Sequence, residues 1–144
     1  MTSACLVSSA AINIPGGINN RGDVAGGAQT STGAPHAFLW TRDTDMQDLG
    51  TLPGDFVSYA PCCHTINNRR QIVGVSLPGP QGSGRAFIWQ DNVMTDLNSL
   101  IPANSPWYLL QAESINEAGQ IGGYGTINGE IHAFLTTPIA ARPR

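Results

Sequence analysis

The sequence predicts an all-β fold of three repeated four-stranded antiparallel sheets, each blade-like in size. They would form either a β-propeller-like ring or an open β-repeat array. The first observation is a phrase that occurs three times, at 18–26, 66–74 and 115–123. It consists of Ile-Asn, then any four residues, then Val or Ile, any residue and Gly. The copies start 48 and 49 residues apart, within the range of about 20–50 residues that is typical of solenoids, propellers and arrays. The second is an apolar phrase, His/Arg-Ala-Phe-Leu/Ile, which follows each copy, at 36–39, 85–88 and 132–135.

The composition agrees with short strands joined by turns. The 144 residues include 17 Gly and 10 Pro, whereas only 12% are charged, which favours short strands over long solvated helices. A chain of this length suits one domain with a real core. We therefore expect a single repeat domain over 1–144, with repeats at about 9–55, 56–104 and 105–137, a candidate closing or donated strand at 1–8 and a tail at 138–144.

The middle copy shows how one repeat divides into strands. We expect antiparallel strands at 58–66, 71–76, 85–89 and 93–97. The polar tetrad 67–70 suits the first turn, and Asp91-Asn92 suits a two-residue turn between the last two strands.

Aromatic residues at repeated positions are predicted to pack between sheets. Along 85–89 the residues alternate, which places Ala86 and Ile88 on one face and Phe87 and Trp89 on the other. The first and third copies carry aromatic residues at matching positions, so we expect these faces to form the core.

The third copy differs from the others after its apolar phrase. Met-x-Asp-Leu closes the first two copies at 46–49 and 94–97, and no such segment follows 132–135. A sheet that lacks its last strand has an unpaired edge, which favours pairing with another chain. Three repeats are also fewer than the roughly four to eight blades of closed rings. We expect the chain to associate with itself through its terminal edges, as a homo-oligomer or a polymer.

No residue set predicts a catalytic, cofactor-binding or metal site, and we expect no enzyme. His36 and His132 hold the same repeat position, as do Asp48 and Asp96. Equivalent positions in successive sheets lie too far apart to share an ion or to act as an acid–base pair. We expect the aspartates to accept hydrogen bonds from backbone amides at strand ends, and the turn asparagines to cap their own turns.

The three cysteines leave two interpretations open. Adjacent cysteines rarely bond to each other, so a disulfide would join Cys5 to Cys62 or to Cys63; otherwise all three are buried thiols. His64 lies beside the pair, but no further ligand pair stands at the usual spacing for a metal.

Two aromatic residues outside the repeat pattern, Trp107 and Tyr108, follow the proline-flanked loop 101–106. They are the best position in the chain for a sugar-like or protein ligand, and the alternative is a plug over the core.

The charge pattern excludes several partners. The net charge is −3, lysine is absent and the arginines are scattered, which argues against nucleic acid and excludes a nucleotide P-loop. No apolar run approaches the roughly 18 residues of a membrane span.

The repeated phrases resemble the bacterial HAF repeat, named for its His-Ala-Phe, over about residues 9–137. The segments 18–26, 36–40 and 46–52 carry the resemblance. It implies an extracellular or cell-surface repeat protein with β-propeller-like sheets, no established activity and no catalytic residues. The sequence departs from the family at Arg85, where the family has His, and at Arg70, where it usually has Gly. We therefore expect a structural or interaction protein without a cofactor; the alternative is a lectin-like module that binds a glycan or a surface protein.

Overall fold

Three antiparallel sheets follow one another along the chain with almost no helix, which confirms the all-β class. The computed structural model describes residues 13–61, 63–79 and 81–139, and of Asn13 the backbone alone. The first sheet contains β1 (Asn13–Ile18), β2 (Val24–Gln29), β3 (Pro35–Thr41) and β4 (Asp45–Asp48). The second contains β5 (Val57–Tyr59), β6 (Ile72–Leu77), β7 (Arg85–Gln90) and β8 (Val93–Asp96). The third contains β9 (Trp107–Ile115), β10 (Ile121–Ile127) and β11 (Glu130–Thr136).

Each sheet is a meander in which every strand pairs with its neighbours in sequence. Four strands form each of the first two sheets, as predicted, whereas the described residues of the third sheet form three. Residues 137–144 contain no Met-x-Asp-Leu segment, which forms the fourth strand of the first two sheets. The candidate closing strand at 1–8 lies outside the described residues. Within the described ranges, no helix is long and apolar enough to cross a membrane.

The first strand of the middle repeat is shorter than predicted. We expected a strand over 58–66, but β5 ends at Tyr59 and pairing resumes only at an isolated bridge between Ile66 and Ile72. Cys63 and His64 both have a φ of +81°, a left-handed conformation that interrupts an extended strand.

The predicted two-residue turn at 91–92 is confirmed. Asp91 and Asn92 have φ of +50° and +67°, as a type I′ hairpin turn between antiparallel strands requires.

The alternation along β7 assigns its two faces to different neighbours, as predicted. Phe87 and Trp89 are buried in a cluster with residues of the first sheet. Ala86 and Ile88 pack in a second cluster with residues of the third sheet. We call the side of each sheet that faces the following sheet its forward face, and the opposite side its backward face.

The glycine that ends each Ile-Asn phrase is required by a close approach of the backbone. A Cβ at Gly74 would overlap the carbonyl oxygen of Tyr59 on the neighbouring strand, and Gly26 and Gly123 stand in the same relation to the first strands of their own sheets. The repeat therefore requires glycine because there is no room for a Cβ atom. The backbone φ at this position is not unusual.

Candidate functional site: the asparagine turns and the two end faces

The turn after the first strand of each repeat is closed by its asparagine side chain. In the middle repeat, Oδ1 of the buried Asn67 accepts hydrogen bonds from the backbone N–H groups of Arg69 and Gln71, both at 3.1 Å. Asn19 accepts two such bonds in its own turn, and Asn116 accepts one, from the backbone N–H group of residue 120. The predicted capping role is confirmed.

The same side chains also join one repeat to the next, which the sequence pattern did not predict. The Asn19 Nδ2 donates to the carbonyl oxygen of Asn67 at 3.1 Å. The Asn67 Nδ2 donates to the carbonyl oxygen of Asn116 at 3.0 Å. We call this row of Asn19, Asn67 and Asn116 the asparagine ladder. At its far end the Asn116 Nδ2 donates to Oε1 of Gln120 in its own turn.

An ion pair strengthens the first junction. Asp23 is 2% exposed, and its carboxylate accepts two hydrogen bonds from the Arg70 guanidinium, at 2.7 and 3.1 Å. The bonded Arg70 holds the pKa of Asp23 below its ordinary value against the opposing effect of burial, and the Asn19 amide lowers it further. Arg70 of the second turn therefore links the first repeat to the second.

The exposed fraction of the isoleucine that begins each phrase shows whether the backward face of its sheet is covered at that point. Ile66 and Ile115 are 4% and 5% exposed, because the preceding sheet packs on them, whereas Ile18 is 66% exposed. Val24 beside it is half-buried, unlike the fully buried Ile72 at the same repeat position. The described residues therefore leave this part of the backward face of the first sheet uncovered, whereas Phe38 on the same face is buried, at 7% exposure.

The forward face of the third sheet is uncovered in the same way. Leu39 of the first sheet is 3% exposed beneath the second sheet, whereas Leu135, at the same repeat position, is 68% exposed. Ala133 is exposed, while its counterpart Ala86 is fully buried. The neighbouring Ile131 is 69% exposed. We call these two uncovered surfaces the end faces.

One open cleft of about 520 Å³ brings the two end faces together. Ile18 lines it from the first sheet and Leu135 from the third, with polar side chains of all three turns around them, among them Asn68 and Glu117. Ile18 of the first sheet and Leu135 of the third therefore border the same cleft. The cleft offers apolar area beside hydrogen-bonding groups, which suits a protein surface.

The structure does not bring Trp107 and Tyr108 into one site. They are consecutive residues of β9, so their side chains point to opposite faces. Trp107 is half-buried, packs against the second core cluster and meets His132 edge to face, with ring centroids 6.5 Å apart. It also lines a groove of about 220 Å³ beside β11. Tyr108 is 41% exposed.

The paired aspartates act structurally, as predicted. Oδ1 of Asp48 accepts a hydrogen bond from the Gly50 N–H at 2.8 Å, and Oδ1 of Asp96 accepts one from the Asn98 N–H at 2.9 Å. Asp48 also bonds Nδ1 of the histidine at position 36, at 2.9 Å. The Asp96 carboxylate lies 3.5 Å from the Arg85 guanidinium, so each aspartate ties its strand end to the neighbouring strand.

The disulfide stays a prediction, because Cys5 and Cys62 lie outside the described residues. Cys63 and His64 are exposed. Within the described ranges, no three His, Cys, Asp or Glu side chains are grouped to hold a metal ion.

Comparison with known proteins identifies no family for this chain. No protein-family model, curated protein or solved structure matches the chain. The end faces and the asparagine turns are therefore defined by the structure alone.

Proposed function

We propose that this chain is an extracellular structural and interaction repeat protein, without catalytic activity, that associates with further copies of itself through its two end faces. The observation that carries the proposal is the contrast in exposure between equivalent residues. Leu39 and Ile66 are buried at the internal junctions, whereas Leu135 and Ile18 are exposed at the ends. The resemblance to the HAF repeat supports the extracellular location.

The internal junctions indicate how two copies would meet. At each of them the forward face of one sheet packs on the backward face of the next. In a junction between two copies, Leu135 of one copy would occupy the position that Leu39 has at the internal junction. Ile18 of the other copy would occupy the position of Ile66. Burying each of these side chains contributes about 1.5–3 kcal/mol.

The asparagine ladder would continue across the same contact. The Asn116 Nδ2 of one copy would donate to the carbonyl oxygen of Asn19 of the next, as Asn19 and Asn67 donate at the internal junctions. The contact therefore has polar groups that fix its register as well as apolar area.

The number of repeats favours a dimer. Closed rings have about four to eight blades, and six is the multiple of three in that range. Two copies would meet at two equal junctions, each joining a forward face to a backward face. An isolated three-repeat arc has two uncovered end faces, whereas such a ring has none.

The test is the mass in solution, measured by light scattering behind a sizing column. We expect a dimer for the wild type and a monomer for Ile18→Asp and for Leu135→Asp, since a carboxylate buried at the junction would be unpaired. Leu100→Asp is the matched control, because Leu100 is 61% exposed and lies outside both end faces. A monomeric wild type, or variants that keep the wild-type mass, would contradict the proposal.

One observation favours a second candidate, a lectin-like or protein-binding module. Trp107 lines the groove beside β11, and aromatic side chains with one apolar and one polar end are common at binding sites. A glycan array tests the sugar-binding form of this candidate. Spots that bind the wild type and not Trp107→Ala would support it, and an array without hits would count against it.

A further inference from the structure

The outer edge of β11 differs from the equivalent edges in the first two sheets. There, the third strand of each sheet is paired on both sides: β3 with β2 and β4, and β7 with β6 and β8. Among the described residues, β11 pairs with β10 alone. An unpaired edge offers a row of backbone donors and acceptors to an added strand.

The first sheet shows which backbone groups point to that edge. The N–H of Leu49 donates to the carbonyl of Ala37 at 2.9 Å, so alternate residues of β3 bond to the strand beside it. The equivalent residues of β11 are Ala133 and Leu135. Their N–H and C=O groups are thus directed to the outer edge.

Strands β4 and β8 show which side chains such a strand carries. Met94 stands opposite Trp89 in the ladder and packs against the first core cluster. The aspartate two residues later stands opposite Phe87, and its carboxylate lies 3.5 Å from the Arg85 guanidinium. Leu97 follows and is buried on the forward side. The first sheet repeats this order with Met46, Asp48 and Leu49.

The third sheet has counterparts for the residues around these three side chains, with Thr136 in place of Trp89. Phe134 and Thr136, the counterparts of Phe87 and Trp89, line the groove of about 220 Å³ together with Ile101 and Trp107. His132 stands where Arg85 and His36 meet their aspartates, and its Nε2 lies 3.4 Å from a carboxylate oxygen of the exposed Glu130. Leu135 is exposed on the forward side, where the leucine of an added strand would pack against it.

From these contacts we propose that the outer edge of β11 binds an extended segment of another polypeptide with the pattern Met-x-Asp-Leu. The segment runs antiparallel to β11, with its aspartate opposite Phe134 and bonded to His132. Its methionine fills the groove beside Thr136, and its leucine packs beside Leu135. The two segments of this pattern at 46–49 and 94–97 are already paired in their own sheets, and the occupant we propose is a segment of a different polypeptide.

This inference goes beyond self-association, which uses the end faces, and the two can be tested apart. The probe is a fluorescent peptide with the sequence of residues 45–52, Asp-Met-Gln-Asp-Leu-Gly-Thr-Leu. Fluorescence anisotropy measures its binding to the full chain and to Ile18→Asp, which disables the proposed junction but leaves β11 unchanged. Binding to both proteins is expected whether or not the wild type dimerises.

Changes in the peptide test the geometry without risk to the fold. In the first sheet the N–H of Leu49 bonds to the carbonyl of Ala37. Because bonded and non-bonded pairs alternate along an antiparallel ladder, residue 47 is hydrogen-bonded to Leu39 and residue 48 is not bonded to β3. N-methylation at the glutamine should weaken binding about tenfold, whereas N-methylation at the following aspartate should change it little. The Asp48→Asn peptide, and the His132→Ala protein, should each bind about threefold to tenfold more weakly.

Three results would overturn the proposal. The first is a peptide that does not bind either protein. The second is equal binding by both N-methylated peptides, which would exclude strand pairing. The third is binding that appears only after deletion of residues 1–10, because the chain's own N-terminal segment would then be the occupant of the edge.

Discussion

The side chain of Asn19 donates to the backbone carbonyl of Asn67 at 3.1 Å, 48 residues further along the chain. Asn67 makes the same bond to Asn116 at 3.0 Å. One residue type thus closes the turn of its own repeat and holds the turn of the next. The last member, Asn116, has no following turn among the described residues, and so provides a natural comparison for the others.

Asn67→Ala should destabilise the chain by about 2–4 kcal/mol, since it removes the two hydrogen bonds that close its own turn and the one to Asn116, all of them partly buried. Asn116→Ala, at the exposed end of the ladder, should cost less than about 1.5 kcal/mol. Urea denaturation followed by circular dichroism measures both free energies of unfolding. Equal losses would show that the bond between repeats contributes nothing beyond the cap.

Gly74→Ala should cost about 1–3 kcal/mol or more, because the added methyl group overlaps the carbonyl of Tyr59 and the strands must shift apart. Gly79→Ala is the matched control, since a Cβ there meets nothing within 4 Å, and should be close to neutral. Thermal unfolding of the two variants checks the contrast. A neutral Gly74→Ala would refute the account of why each phrase ends in glycine.

Acid should remove the stabilisation that Asp23 provides. Its pKa is lower in the folded chain than its ordinary value of 3.8, so the unfolded state binds the proton more readily. The contribution is therefore complete above that value and is lost as the pH falls through the folded pKa. Free energies of unfolding measured between about pH 7 and about pH 3 should decline less steeply for Asp23→Asn and for Arg70→Gln. An unchanged pH dependence in both would contradict the role of this ion pair.

Leu39→Ala should destabilise the chain by about 2–5 kcal/mol, as expected for a cavity in a packed junction. Leu135→Ala, at the same repeat position, should cost less than about 0.5 kcal/mol in the unassembled chain. Denaturation in the Ile18→Asp background compares the two substitutions without the effect of assembly. Similar losses would mean that Leu135 is covered by a part of the chain outside the described residues.

Much of the architecture could be predicted from the sequence because it depends on local patterns. The alternation around Phe87 and the turn at Asp91 and Asn92 follow from period-two packing and from residues that tolerate positive φ. The interruption after Tyr59 was missed, since two consecutive residues with positive φ leave no plain compositional signal.

The contacts between repeats could not be predicted, because they depend on how the sheets stack. The pattern identifies Asn19 as a turn residue, but the acceptor of its Nδ2 lies 48 residues away. Likewise, Leu39 and Leu135 are the same residue in the same phrase, and only the packing of the sheets distinguishes a buried core position from an end face. A spacing of 48 to 49 residues between polar turn residues is the one signal that pointed to this ladder.

The most direct test of self-association is to mix Ile18→Asp with Leu135→Asp and to measure the mass by light scattering. Each variant alone lacks one end face and should be a monomer. In the mixture, the intact forward face of Ile18→Asp meets the intact backward face of Leu135→Asp, so the account predicts a discrete heterodimer. A mixture that stays monomeric, or an Ile18→Asp variant that dimerises by itself, would contradict the forward-to-backward junction.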